Sequence, residues 1–444
     1  MARSVTNHAL HGLLIEADYS HGAFARQVNH ACSSGYDAAS VYWWLRGRRP
    51  DPATRAAITA VLTRRLHRTV SVDQLGFDYD LSVGLAYPGT PDETVEITAK
   101  LWGLGVRHAA LLALAPYTSD AAMQTALAWR YDPDDPDWSR TGPRTVTAVD
   151  VEALTLYASH FTDLDRRGGG AAQTRILVAD FLHRQVGPML HAAYTDSVGR
   201  ALMGAAANLA GQLAYMAYDA GEHGASLRHY TTALRLSRAA GDRLYGAHLL
   251  ANLATQAVYL GHPRNAVRLA AAAIDGAGRA PAAVRARLHS AAACAHAVAG
   301  DRRSCTKALG EAQKAIDRAL PGSGPAWSAY FSPAHFAGTA ARCYRDLQLH
   351  RKALVHGPAA LCLPADSTRT HALHTALLAT VHAATGELDE ACRYGDQAIP
   401  HLHTVKSQRV RQRLAELTNR LRPHRTEPVV AEFFDRHHEL LAAA

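Results

Sequence analysis

Apolar residues recur along the first seventy positions at the three- and four-residue spacing of short amphipathic helices. Leu10, Leu13 and Leu14 share one face of a helix over Asn7–Ala17, and Phe24, Ala25 and Val28 line a second over His21–Ala31. Ser33, Ser34 and Gly35 then mark a loop over Cys32–Tyr36. Asp37 is placed to cap a third helix by accepting from the Ser40 N–H. That helix stops at Gly47, ahead of Pro50 and Pro52. Within it Val41, Trp44 and Leu45 face the core at i, i+3, i+4, which leaves Ala38, Ala39, Ser40, Tyr42 and Trp43 on the outer side. A fourth helix, Ala53–Leu66, buries Ile58, Val61, Leu62 and Leu66.

Residues 78–150 are less regular. Helices are expected over Pro91–Gly105, Arg107–Leu114 and Asp120–Trp129, followed by the loop YDPDDPDWSRTGPRT, whose prolines disrupt the acidic spacing a calcium site needs. From Val151 the pattern is helical almost throughout. Two helices, Val151–Leu164 and Thr174–Ala193, form a cap, joined by DLDRRGGGAAQ. A glycine run before a helix can cradle an anion, but this one lacks the Lys-Ser/Thr of a P-loop and reads as a flexible turn.

Beyond the cap, five segments repeat in register. The small residues Ser226, Ala266, Cys305, Ala353 and Ala391 each open a second helix. Seven residues on lie Ala233, Ala273, Ala312, Ala360 and Ala398; twelve residues back lie Ala214, Ala254, Ala293, Ala341 and Ala379. This frame is the tetratricopeptide pattern, in which two antiparallel helices approach closely through small residues. The intervals of 40, 39, 48 and 38 residues imply extended connections. Projecting the frame places Asn208, Tyr215, Tyr218 and Asp219 in the concave groove, then His248, Asn252, Thr255 and Tyr259, Arg287 and Ser290, and finally His335, Arg342, Arg345 and Asp346. Asparagines and arginines there suit a peptide backbone or carboxylate, and the tyrosines offer flat apolar surface. After the last repeat, VKSQRVRQRLAELTNRLRPHR reads as a basic capping helix with a solvated face.

Charge sharpens the picture at the front. The 444 residues carry a net charge of +8. The first 72 hold nine arginines against four acids, a balance of +5. Arg46, Arg48 and Arg49, with Arg26 and Arg55 nearby, are placed to contact phosphates. The six cysteines form no C-x-x-C pair, the opening residues lack a signal peptide, and no apolar run is long enough for a membrane span. A cytoplasmic protein with reduced thiols is expected. The 26 histidines include no H-E-x-x-H arrangement, and no nucleophile elbow, Walker motif or dinucleotide fingerprint is present. No enzyme, metal site or cofactor is expected.

The order FARQV, SVYWWLRGRRPDP, ITAVL is similar to the repressor-like helix-turn-helix family, with Trp44, Gly47 and Pro50 at the W-x-x-G-x-x-P positions, although the Asn29–Tyr36 stretch makes the turn long. Across the chain, NHALHGLLIEADYS, SVYWWLRGRRPDP, FTDLDRRGGG, YDAGEHGASLRHYTTALRLSRAAGD and PAWSAYFSPAHF resemble actinobacterial regulators that restrain sporulation and antibiotic production. The resemblance implies an all-α protein: a helix-turn-helix domain over 1–77, a connector over 78–150, a tetratricopeptide solenoid over 151–425 and a terminal helix over 426–444. It implies a transcriptional regulator that binds double-stranded DNA, pairs as a homodimer and senses a peptide or small-molecule effector. The alternative is an interaction adaptor whose front domain docks a protein partner without touching DNA.

Overall fold

A computed structural model describes residues 7–77, 81–135, 139–320 and 322–442. Arg3 and residues 136–138 of the Pro/Asp-rich loop lie outside the described residues. The secondary structure is helical, with two isolated β-bridges, Arg140 to Tyr194 and Thr145 to Ala193, and no longer strand among the described residues.

The front unit comprises α1 (His8–Glu16), α2 (His21–Cys32), α3 (Ala38–Leu45) and α4 (Pro52–Leu66). Leu10, Leu13, Phe24, Val28, Val41 and Ile58 meet in its core, all fully buried. Each helix starts on a side-chain cap, from Asn7, Ser20, Asp37 and Asp51 in turn. The helix before the turn runs on through Cys32, so the turn is 33–37 rather than starting at Cys32. Asn29 braces this long turn: its Oδ1 accepts from Tyr36 N and Ser34 Oγ, both at 2.8 Å, and its Nδ2 donates to Tyr36 O at 2.7 Å. α3 ends at Gly47, whose φ of 88° lets Arg48 N donate back to Trp43 O and Gly47 N to Trp44 O.

The connector contributes α5 (Pro91–Arg107), α6 (Ala109–Ala113) and α7 (Ser119–Tyr131). Then come α8 (Ala148–Gly168), α9 (Ala172–Phe181), one π-helical turn over Leu182–Val186, and α10 (Gly187–Leu190). The array follows as antiparallel pairs: α11 (Asp196–Asp219) with α12 (His223–Ala239), α13 (Arg243–Tyr259) with α14 (Pro263–Ala277), and α15 (Ala282–Val298) with α16 (Arg302–Ile316). α17 (Pro333–Asp346) pairs with the broken α18 (His350–Val355) and α19 (Gly357–Ala360), and α20 (Thr368–Thr385) with α21 (Leu388–Ala398). A short α22 (His401–Thr404) leads to α23 (Gln408–Leu421) on α20, and α24 (Pro428–Ala442) packs on α21.

The repeat frame explains this stacking. None of its fifteen small residues is more than 1% exposed, because each sits where two backbones approach. Five residues before the first small residue of each second helix, the chain reverses through a left-handed residue. These are Gly221, Gly261, Gly300 and Gly386 at φ 74–85°, with Gln348 at φ 60° in the fourth pair. The N–H after each one donates to a carbonyl five residues back, for example Glu222 N to Ala217 O at 2.9 Å and Leu349 N to Tyr344 O at 2.8 Å.

The connector covers the outer face of the first pair. Arg228 of α12 donates to Leu81 O at 2.9 Å, Arg235 to Pro88 O at 3.0 Å and to Asp135 at 2.6 Å, and Arg238 to the Trp129 and Asp132 carbonyls. Trp129 is fully buried against Gly246 and Gly276, where any Cβ would overlap its ring. Buried guanidinium groups thus satisfy the loop carbonyls that would otherwise be stranded under the connector.

Candidate functional site

The first helices of the pairs turn one stripe each toward a common interior. On α13 that stripe is Tyr245, His248, Asn252, Thr255 and Tyr259, spaced three and four residues apart as one helix face requires. Asn208, Tyr215 and Tyr218 of α11, Arg287 of α15 and Arg342 of α17 join it around a cavity of about 830 Å³. Eleven of the fourteen groove positions expected from the frame therefore line one space. Arg345 does not. Its guanidinium turns to Glu416 of α23 at 2.8 Å and to Asp346 at 2.7 Å, because α23 lies against that side of α17. Asp219 and Asp346 also leave the interior, each drawn into ion pairs behind the wall.

The groove is deepened into a partly open chamber, since residues of α8 and α23 add walls to it. Gln212 of α11 donates to Ala158 O of α8 at 3.0 Å, and Arg369 of α20 reaches Asp165 of α8 at 2.7 Å. The buried Asp219 carboxylate accepts from Gly170 N at 3.0 Å, Ser407 Oγ at 2.8 Å and Arg409 Nε at 2.6 Å. One side chain thereby clasps α11, the α8–α9 turn and α23. Burial pushes the Asp219 carboxyl up, but Arg409 and Arg369 outweigh it and hold the group below the ordinary carboxylate range. Asp165 keeps a raised value, since burial there exceeds the pull of Arg369. The glycine run is accordingly a packed joint and not a loose turn: Gly170 abuts Met216 O so closely that a Cβ would overlap it, and Lys406 N donates to Gly168 O at 2.9 Å. The basic helix α23 likewise buries Arg409 and Arg413 in the chamber wall instead of solvating them.

An aromatic wall was not legible in the repeat frame. Trp327 and Tyr330 come from the insertion behind the 48-residue interval, within PAWSAYFSPAHF. The Trp327 ring lies 4.8 Å from His248 and 5.5 Å from Tyr245. Arg287 donates to Tyr330 Oη at 3.1 Å and Asn252 Oδ1 at 2.8 Å, and Arg166 of α8 sits 5.6 Å over the Tyr330 ring. Burial, then the nearby Arg287, pulls His248 down to about 3; burial, then His374 and Arg166, does the same to His335. Both imidazoles are neutral at neutral pH and act as hydrogen-bonding groups. Gln212 Oε1, His248 Nδ1 and Ser290 Oγ are buried on these walls with no hydrogen-bond partner among the described residues. The chamber can therefore recognise a ligand by flat stacking surfaces and several directed polar groups.

The second cluster of expected site residues lies on the front unit. Arg26, Ala38, Ala39, Tyr42, Trp43, Arg48 and Arg49 are exposed, while Ser40 and Arg46 are half-buried. The two tryptophans part company: Trp44 is 3% exposed and meets Tyr36 edge to face, whereas Trp43 is 46% exposed beside Tyr42. Arg46 donates to Tyr42 Oη at 3.1 Å and covers its ring. Ser40 is committed to the helix start, its N and Oγ each 2.8 Å from Asp37 Oδ1, and these bonds hold the Asp37 carboxyl below its ordinary range.

Comparison with known proteins gives a partial picture. The family described as the SP15 N-terminal domain matches residues 10–78. No curated protein matches the chain in sequence. The chain is similar to the crystal structure of a Rap protein complexed with competence and sporulation factor, at 13% identity and a TM-score of 0.39, covering 66% of this chain and 94% of that one. It is also similar to the crystal structure of the APC/C hetero-tetramer Cut9-Hcn1, at 15% identity and a TM-score of 0.31, covering 96% of this chain and 68% of that one. Among the described residues no helix is long and apolar enough to cross a membrane.

Proposed function

We propose that this chain is a ligand-responsive interaction protein, in which the repeat body holds a small signal and the front unit presents the response to a macromolecular partner. The observation that carries this reading is the convergence of five repeats, α8 and α23 on one chamber of about 830 Å³. A chamber of that size suits a small molecule or a few peptide residues. Because α8 and α23 each bridge distant repeats, a ligand touching both favours one curvature of the body. The test is thermal unfolding of the full chain with fractionated cell extract. A fraction that raises Tm for the native protein but not for Trp327→Ala supports the reading. Native and Trp327→Ala proteins that respond alike to every fraction overturn it.

A specific observation favours DNA as the partner. The outer face of α3 exposes Tyr42 and Trp43 between Arg26, Arg48 and Arg49, in a unit with a surplus of positive charge. In this second reading α2 and α3 are a helix-turn-helix, Ala38, Ala39, Tyr42 and Trp43 meet base edges, and the arginines hold phosphates. One head covers one half-site, so the reading carries a pair of copies with it. The Arg46→Ala, Arg48→Ala, Arg49→Ala triple variant separates the two. A transcriptional regulator loses its bound fragments at low salt, and an adaptor keeps its protein partner.

A further inference from the structure

Charge around the chamber is unbalanced. Six arginines line it against three aspartates, Asp163, Asp165 and Asp366. Arg369 and Arg409 are accounted for by Asp165 and Asp219. Among the described residues Arg287 has only neutral partners, the Tyr330 hydroxyl and the Asn252 amide oxygen. At the far side Arg342, Arg345, Arg413 and Arg420 share just two carboxylates among the described residues. Arg345 takes the near positions on both, 2.7 Å from Asp346 and 2.8 Å from Glu416. Arg413 stands 3.2 Å from Glu416, while Arg342 is 3.7 Å from Asp346 and Arg420 3.6 Å from Glu416. Of these four, Arg342 and Arg413 face the chamber.

Packing guanidinium groups together out of water is costly unless something negative completes the set. The crowding is visible on Arg413, which burial and then the neighbouring Arg345 and Arg342 pull down to about 9. Arg287 and Arg342 both act on the Cys294 thiol, so these two arginines converge on one stretch of wall. Beside it stand Trp327 and Tyr330, with His248 4.8 Å from the indole. We propose that the chamber is a receptor for a small organic anion, a carboxylate or phosphate carried on a flat apolar ring. Arg342, Arg413 and Arg287 bind the charged group through charge-assisted hydrogen bonds, and Trp327 and Tyr330 stack on the ring.

The proposal rests on the chamber being a ligand site, and its test is built to fail separately. Phenyl phosphate and benzoate, as the two sources of anionic charge, and benzyl alcohol, as the neutral counterpart, are titrated into the full chain. Tm and tryptophan fluorescence are followed. At least one anion gives a saturating rise in Tm, and the Arg342→Gln, Arg413→Gln double variant weakens it roughly tenfold or more. Without ligand, the Arg413→Gln variant melts at or above the native Tm, because one of four crowded guanidinium groups sharing two carboxylates is gone; a purely structural arginine would lower it. Benzyl alcohol binding as well as both anions, or a double variant that saturates like the native chain, overturns the proposal and leaves the chamber reading standing. If no probe binds while an extract fraction does, the anion class is wrong and the chamber reading survives. If neither binds, both fall.

Discussion

At the scale of single residues, the turn of the fourth pair is the odd one out. Four pairs reverse through glycine, and Gln348 occupies the same position at φ 60°. A side chain in the left-handed region costs on the order of 1 kcal/mol, less what glycine loses in the unfolded chain. Gln348→Gly is therefore expected to stabilise the protein by about 0.5–1 kcal/mol in equilibrium unfolding, whereas the same change on a right-handed helix residue would destabilise. Asp219 works in the opposite direction. Replacing it with Asn leaves Arg409 buried without its carboxylate and Arg369 with Asp165 alone, and a loss of about 3–5 kcal/mol is expected. An unchanged melting curve for Asp219→Asn would mean that the clasp does not hold α11 and α23 together.

The buried histidines set a pH dependence whose sign follows from their surroundings. His229, His248 and His335 are each pulled from 6.5 to about 3, chiefly by burial. Between those values the unfolded chain binds protons that the folded chain refuses, so stability falls as pH drops below about 6.5. Each histidine contributes up to about 1.4 kcal/mol per pH unit. Asp165 and Glu222, raised by burial, act in the opposite sense over part of this window and lessen the fall. Denaturant midpoints at pH 7.5 and 5 check the sign; no decrease at pH 5 would contradict it.

At the scale of elements, much of the array could be read from small residues alone. A backbone-to-backbone contact tolerates only a small side chain, so the frame had to recur wherever two helices cross closely. Periodicity within each first helix then carried Asn208, His248, Asn252 and Arg287 to the interior without further information. Arg345 shows where that reasoning stops. Its helix phase is close to that of Arg342, but its direction is settled by Glu416, 71 residues away, and no local pattern reports such a contact. Trp327 and Tyr330 were illegible for a related reason: they stand in an insertion outside the frame, and only the 48-residue interval signalled that extra wall existed. The glycine run misled because glycine marks close approach as readily as freedom. Gly170→Ala is accordingly expected to lift the α8–α9 turn from α11 at a cost of about 1–3 kcal/mol. It should also speed amide hydrogen exchange at Lys406, whose bond to Gly168 O depends on the same joint.

At the scale of the whole molecule, the front unit and the chamber are joined through rigid parts. Arg228 ties α12 to Leu81, just beyond the front unit, and α12 pairs with α11, which supplies chamber wall. Ala9 of α1 also packs in one cluster with Leu81, Leu101, Leu112 and Ala217 of α11, so a change in the curvature of the body has a packed route to the front unit. Arg228→Ala is expected to cut that route. It should leave the affinity of the chamber for an anionic probe within about twofold while destabilising the connector, as limited proteolysis around residue 81 would show. Loss of probe binding in this variant would place the connector inside the ligand site.

The clasp on Asp219 also orders events in time. Its partner Ser407 lies 188 residues further along the chain. Synthesis proceeds from the N-terminus, so α11 and the helix pairs that follow it are made before the wall that α23 adds to them. A chain cut before residue 405 would lack Ser407, Arg409 and Arg413, and with them the closing side of the chamber and two of the three side-chain and backbone partners of the Asp219 carboxylate.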